Sequence, residues 1–114
     1  MSRRTDLYLD AVAVIERRYS EEDLSLYTVA RTIATSRRQL QRAFAETGGT
    51  SFRRELQRIR MGRAAELLRD GSLSVQAVAA AVGYRQAAQF AKAFRRQYGA
   101  PPSAFRGHTE RLAA

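Results

Sequence analysis

Apolar residues in this chain recur at intervals of three and four, and Ser, Gly and Pro interrupt them at a few places. Tyr8, Ala11, Val12, Ile15 and Tyr19 fit one face of a helix that Thr5-Asp6 can start. Ser20-Glu21-Glu22-Asp23 breaks that pattern and puts acid ahead of the next helix. In mid-chain, Phe52, Leu56, Ile59, Ala64, Leu67 and Leu68 mark a longer stripe, with Arg53, Arg54, Glu55, Gln57, Arg58, Arg63 and Glu66 around it. Thr50 is the expected N-cap, and Asp70-Gly71 the left-handed stop. About 19 residues rising about 1.5 Å each make a rod of roughly 28 Å.

A smaller pattern occurs on each side of this rod. Leu24, Ser25, Val29, Ala30 and Ile33 return 49 positions later as Leu73, Ser74, Val78, Ala79 and Val82. Gln39, Leu40, Arg42, Ala43, Phe44 and Gly49 return 50 positions later as Gln89, Phe90, Lys92, Ala93, Phe94 and Gly99, so the second copy carries one extra residue near Gly83-Tyr84. In the first copy Ser25 caps a short helix, and Ser36 caps a longer one from Arg37 to Thr47 that Gly48-Gly49 ends. Pro101-Pro102 then breaks the chain, Ser103–Arg106 can form a last turn with Pro102 near its start, and residues 1–4 and 107–114 read as loose ends. The expected fold is all-α, with about seven helices and no strand. It divides into a subdomain at 5–49, a linker helix at 50–70, a second subdomain at 71–106 and a tail at 107–114.

Each copy is a short helix, a tight turn and a longer helix, the helix-turn-helix plan. Ala30 and Ala79 are small enough for the longer helix to cross closely. Ile33 or Val82, Leu40 or Phe90, and Phe44 or Phe94 would make each small core. The first longer helix keeps Arg37, Arg38, Gln41 and Arg42 outside. Arg can bond guanine O6/N7 bidentately and Gln adenine N6/N7, so these types suit a major groove. Arg and Gln on one helix face are usually just solvated; the duplication, with its matched caps and small residues, gives the pattern its weight.

Composition agrees. Hydrophobic residues are 45% and charged residues 27% of a 114-residue chain, as in ordinary globular proteins. Lys and Arg total 20 against 11 Asp and Glu, a net +9 with pI about 11.2. Every cation but Lys92 is Arg. Genome composition can explain Arg over Lys, but not the surplus of positive charge, which favours a polyanion: nucleic acid first, an anionic membrane surface second. No apolar run approaches the ~20 residues of a membrane helix. There is no signal peptide and no cysteine, which fits a cytoplasmic protein.

These motifs resemble the DNA-binding domain of the AraC/XylS transcription regulators over about Leu7–Arg106. Ser36-Arg37-Arg38-Gln39-Leu40-Gln41-Arg42-Ala43-Phe44 is similar to the family's S-x-x-x-L-x-R-x-F. Val78–Tyr84 is similar to I-A-x-x-x-G-F, and Phe90, Phe94, Gly99, Pro102-Ser103 and Phe105-Arg106 to its closing motifs. The resemblance implies two helix-turn-helix units held by a central helix, reading successive major grooves on one face of double-stranded DNA. By position the base readers would be Arg38, Gln41 and Arg42 in the first unit, with Ser36 and Arg37 beside them. In the second they would be Ala87, Ala88, Ala91 and Lys92. Those alanines offer methyl contact without hydrogen bonds. Arg85, Gln86, Gln89, Arg95 and Arg96 around them suit phosphates, so the second unit is expected to anchor more than it reads. Pro101 stands where the family often has a capping Thr or Ser. The resemblance also implies an activator that contacts RNA polymerase.

Other chemistry is thin. His108 is the sole histidine and lies in the tail. Asp6/Asp10 and Glu21/Glu22/Asp23 lack clustered metal partners and read as helix-start acids. No phosphate-binding Gly loop or nucleophile with a base occurs, so no enzyme activity, cofactor, metal or small-molecule ligand is expected. The Tyr and Phe residues read as core rather than as a stacking platform. The expected protein is a monomer with no room for a separate effector or dimerisation domain. It is either a complete regulator, which Met1 favours, or the C-terminal piece of a longer one. The rival reading is a non-specific basic scaffold, nucleoid- or ribosome-associated, whose cations would be spread evenly.

Overall fold

Serine hydroxyls start the short helices. In the computed structural model, which describes residues 3–107, Ser25, Ser36 and Ser74 accept backbone N–H bonds from Thr28, Gln39 and Ala77 at 3.0–3.1 Å. They open α2 (Leu26–Thr32), α3 (Arg37–Ala43) and α5 (Val75–Ala81), which follow α1 (Arg3–Arg18) and bracket α4 (Phe52–Asp70). α6 (Ala87–Tyr98) completes the set. A π-helical turn, Phe44–Gly48, prolongs α3, and a 3-10 turn, Pro102–Ala104, follows α6. The described residues are thus all-helical, without strands.

Three local expectations change. Ser51, not Thr50, caps the long helix: its Oγ accepts from the Arg54 N–H at 3.1 Å. Arg3 and Arg4 already belong to α1. Gly107 is held, its N–H donating to the Leu68 carbonyl at 2.9 Å. Residues 1–2 and the rest of the expected tail, 108–114 with His108, lie outside the described residues.

The described chain packs as two units, residues 3–19 with 23–59, and residues 20–22 with 60–107. In the first, α1, α2, α3 and the start of α4 enclose Val29, Leu40, Ala43 and Phe44, all fully buried. Phe44 takes Tyr8 and Phe52 edge-on, with ring centroids at 5.6 and 6.2 Å. The inner stripe of α1 is Leu7, Ala11, Val14 and Ile15; Tyr8, Val12 and Tyr19 are half-buried at its margin.

In the second unit Met61, Ala64, Leu68, Val78, Val82, Phe90 and Phe94 are buried. Phe94 is ringed by Phe90, Tyr98 and Phe105 at 5.8, 4.7 and 4.9 Å. Residues 20–22 are fixed here by two arginines. The Arg60 guanidinium donates to the Glu21 carbonyl at 2.7 Å and faces the Tyr84 ring, and Arg85 pairs with Glu22 at 2.7 Å.

Two charged α4 side chains lie inside, Glu55 among them in departure from the expected polar face. Glu55 and Arg60 are buried, at 5% and 8% exposure. Glu55 accepts two bonds from Arg58, both at 3.1 Å, which raises the Arg58 pKa. Burial lowers that of Arg60.

The two helix-turn-helix turns share one hydrogen-bond plan. Thr35 N–H bonds the Ala30 carbonyl and Tyr84 N–H that of Ala79, each at 2.9 Å. The extra residue of the second copy is therefore Arg85, after that turn. At the matched left-handed position stand Gly83, φ +93°, and Ala34, φ +57°. A Cβ there costs roughly 1–2 kcal/mol. Ala34→Gly is expected to raise stability by about 1 kcal/mol and Gly83→Ala to lower it by a similar amount. Urea unfolding of both variants checks this, and a destabilised Ala34→Gly would contradict it.

Candidate nucleic-acid interface

Helix phase decides what α3 offers. With Leu40, Ala43 and Phe44 turned into the core, Arg38, Gln41, Arg42 and Ala45 fall on the opposite side at positions i, i+3, i+4 and i+7. Arg37, Arg38, Gln41 and Arg42 are all exposed, as is Ser36 at the cap. Arg38, Gln41 and Arg42 line one open depression with Ser36, Gln39, Ala45 and Glu46.

The charges on this face are not equivalent. Arg42 lies 3.9 Å from the Glu46 carboxylate one turn on, and Glu46 also pairs with Arg4. These are exposed pairs of small worth, so a phosphate or base edge can compete for Arg42. Arg37 and Arg38 pair with no carboxylate among the described residues.

α6 repeats the phase with different residues. Phe90, Ala93 and Phe94 face the core, which leaves Ala88, Lys92, Gln89, Arg95 and Arg96 exposed. Ala87 and Ala91 are half-buried, so Ala88 presents the openly accessible methyl. Gln86 takes the N-cap position of α6 but makes no side-chain cap bond. Arg85 is tied to Glu22, whereas Lys92, Arg95 and Arg96 pair with no carboxylate among the described residues.

The patterning above did not anticipate three features. Glu46 beside Arg42 carried a signal, since residues four apart on a helix meet. Glu22 against Arg85 carried none, being far away in the chain. Tyr27, assigned to the core with the other aromatics, is 53% exposed on α2. Its ring is flanked by the Arg31 and Arg37 guanidinium carbons at 5.9 and 5.8 Å. Among the described residues no group of three or more His, Cys, Asp or Glu could hold a metal, and no helix is long and apolar enough to cross a membrane.

Each unit thus contains a helix-turn-helix whose second helix keeps a polar, largely cationic outer face. A helix-turn-helix domain family model matches residues 29–108. The transcriptional regulator GlxA of Rhizobium meliloti is 34% identical over 97 residues, 83% of this chain and 30% of that protein. The C-terminal domain of AraT, a response regulator from Geobacillus stearothermophilus, superimposes with TM-score 0.86 at 34% identity, covering 92% of this chain and 87% of that one. The DNA-binding domain of AdpA, a global transcriptional factor solved with a target DNA, gives 0.83 at 28% identity, covering 92% and 94%. The chain belongs to the AraC-type helix-turn-helix family of transcription regulators and corresponds to their DNA-binding domain. It spans 20–37% of the length of the curated bacterial relatives it matches.

Proposed function

We propose that the chain binds double-stranded DNA sequence-specifically to regulate transcription, placing α3 and α6 in successive major grooves. The carrying observation is the recurrence of one cap-turn-helix plan in two units, each time with core residues that turn Arg, Gln or Lys outward. The likeness to the AdpA domain, solved with a target DNA, supports a duplex as the partner. Arg38, Gln41 and Arg42 are the base readers of the first unit, with Ser36 and Arg37 against the backbone. In the second, Ala88 and Lys92 meet bases, Ala87 and Ala91 lie at the edge of the contact, and Gln86, Gln89, Arg95 and Arg96 hold phosphates. Arg85 must exchange Glu22 for a phosphate to join them. α4 acts as the stiff connection.

The role is one of binding rather than catalysis, in the cytoplasm and as a monomer on its site. Family habit favours activation through contact with RNA polymerase.

Selection from a random duplex pool, followed by salt titration on the selected site, tests the reading. Two units contacting some six to ten phosphates give a log–log salt slope of roughly −5 to −9. A slope near −2 would show that one unit binds alone. Excess random duplex should leave the selected complex largely intact; ready displacement would favour the basic scaffold.

A further inference from the structure

Tyr27 is an anomaly for a helix-turn-helix core. It stands on the outer side of α2, more than half exposed, between Arg31 from the last turn of its own helix and Arg37 from the first turn of α3. Both guanidinium groups face the ring at under 6 Å, within cation–π range. No carboxylate among the described residues pairs with either, in contrast to Arg42 and Arg85, which have Glu46 and Glu22. The Tyr27 hydroxyl likewise has no hydrogen-bond partner among the described residues.

We infer that Tyr27, Arg31 and Arg37 form a binding site for one DNA backbone phosphate beside the first recognition helix. The phenol donates its O–H to one phosphate oxygen, and the two guanidinium groups supply further donors and the opposite charge. A backbone phosphate is the favoured occupant because Arg37 immediately precedes Arg38, the first base reader. With α3 in a groove, a ligand held by Arg37 lies at that groove's edge. Tyr27 is a positioning residue as well as a donor, since its ring holds Arg37 in place before DNA arrives. This inference rests on the first unit binding duplex DNA as proposed above.

The test uses the selected duplex and the full chain, with helicity checked by circular dichroism. Arg31→Ala should weaken selected and random duplexes by a similar factor and make the salt slope shallower by about one. Tyr27→Phe keeps the ring and removes the donor, so a loss of about two- to tenfold with an unchanged slope is expected. Neutralising single phosphates as methylphosphonates should reveal one position that weakens the wild type clearly more than it weakens Arg31→Ala. Should Arg31→Ala and Tyr27→Phe bind with wild-type affinity and slope while Arg38→Ala loses sequence preference, the phosphate site is wrong and the DNA reading stands. A methylphosphonate scan that affects wild type and Arg31→Ala identically also overturns it, and leaves an acidic protein partner as the occupant. If the wild type prefers no duplex, the DNA reading itself fails and this site falls with it.

Discussion

Gln57→Pro is expected to abolish sequence-specific binding, the largest loss any single substitution outside the reading faces should cause. Gln57 lies inside α4, five residues past the helix start at Phe52. Proline there removes the N–H that bonds the carbonyl four residues back, and its ring collides with that carbonyl. The cost is about 3 kcal/mol or more, with a kink or break. Residues 52–56 are the part most exposed to unravelling, and they carry Phe52, which packs on Phe44, and the buried pair Glu55 and Leu56. A reader of successive major grooves needs its two recognition helices about 34 Å apart, one turn of duplex, and a broken connection cannot hold that spacing. Each unit could still reach DNA singly, so binding should fall to the non-specific level and the salt slope should shrink. Gln57→Ala, a better helix former at the same position, is the control and should bind like the parent. A Gln57→Pro protein with native helicity and undiminished affinity for its site would show that α4 is not the connection proposed here.

Much of this architecture is local and could be read from the sequence for that reason. A Ser cap, a small residue five positions on and a left-handed turn are short-range requirements, met by Ser25, Ala30 and Ala34 in the first copy and by Ser74, Ala79 and Gly83 in the second. The core phase set by Leu40 with Phe44, and by Phe90 with Phe94, also decides which α3 and α6 residues are left outside. What escaped was set by partners distant in the chain or by small shifts of phase. The α1 stripe centres on Leu7 and Val14 rather than Tyr8 and Val12, because a 3.6-residue period tolerates a rotation of part of a turn. Ser51 and Thr50 are both competent caps, and only the helix start selects between them. Glu55 and Arg60 are buried with their charged groups bonded to Arg58 and to the Glu21 carbonyl; the second of these bonds spans 39 positions. Helical spacing places Tyr27 in the core with the other aromatics, yet it is 53% exposed beside Arg31 and Arg37.

The binding motif should be sharp in the half facing the first unit and shallow in the other. Arg38, Gln41 and Arg42 share one exposed depression and can each donate to base edges, and a good bidentate contact discriminates by about 1–3 kcal/mol. At the matching positions of α6 stand Ala88, Ala91 and Lys92, and Ala91 is itself half-covered. Methyl contact favours thymine only weakly, and a lysine on a flexible stem selects little. Arg38→Ala combined with Gln41→Ala should therefore remove about 2–6 kcal/mol on the selected site, which brings it toward the affinity of random duplex. Arg42→Ala should cost less than a free reader would, because the parent must first give up Glu46 at 3.9 Å. Arg96→Ala, in contrast, should weaken selected and random duplexes alike and make the salt slope shallower by about one. Competitive selection with the parent and each variant, sequenced in parallel, measures both halves at once. A motif equally sharp in both halves would mean that the second unit discriminates without base-edge donors, and sequence-dependent deformability of the duplex under α6 would be the route to examine.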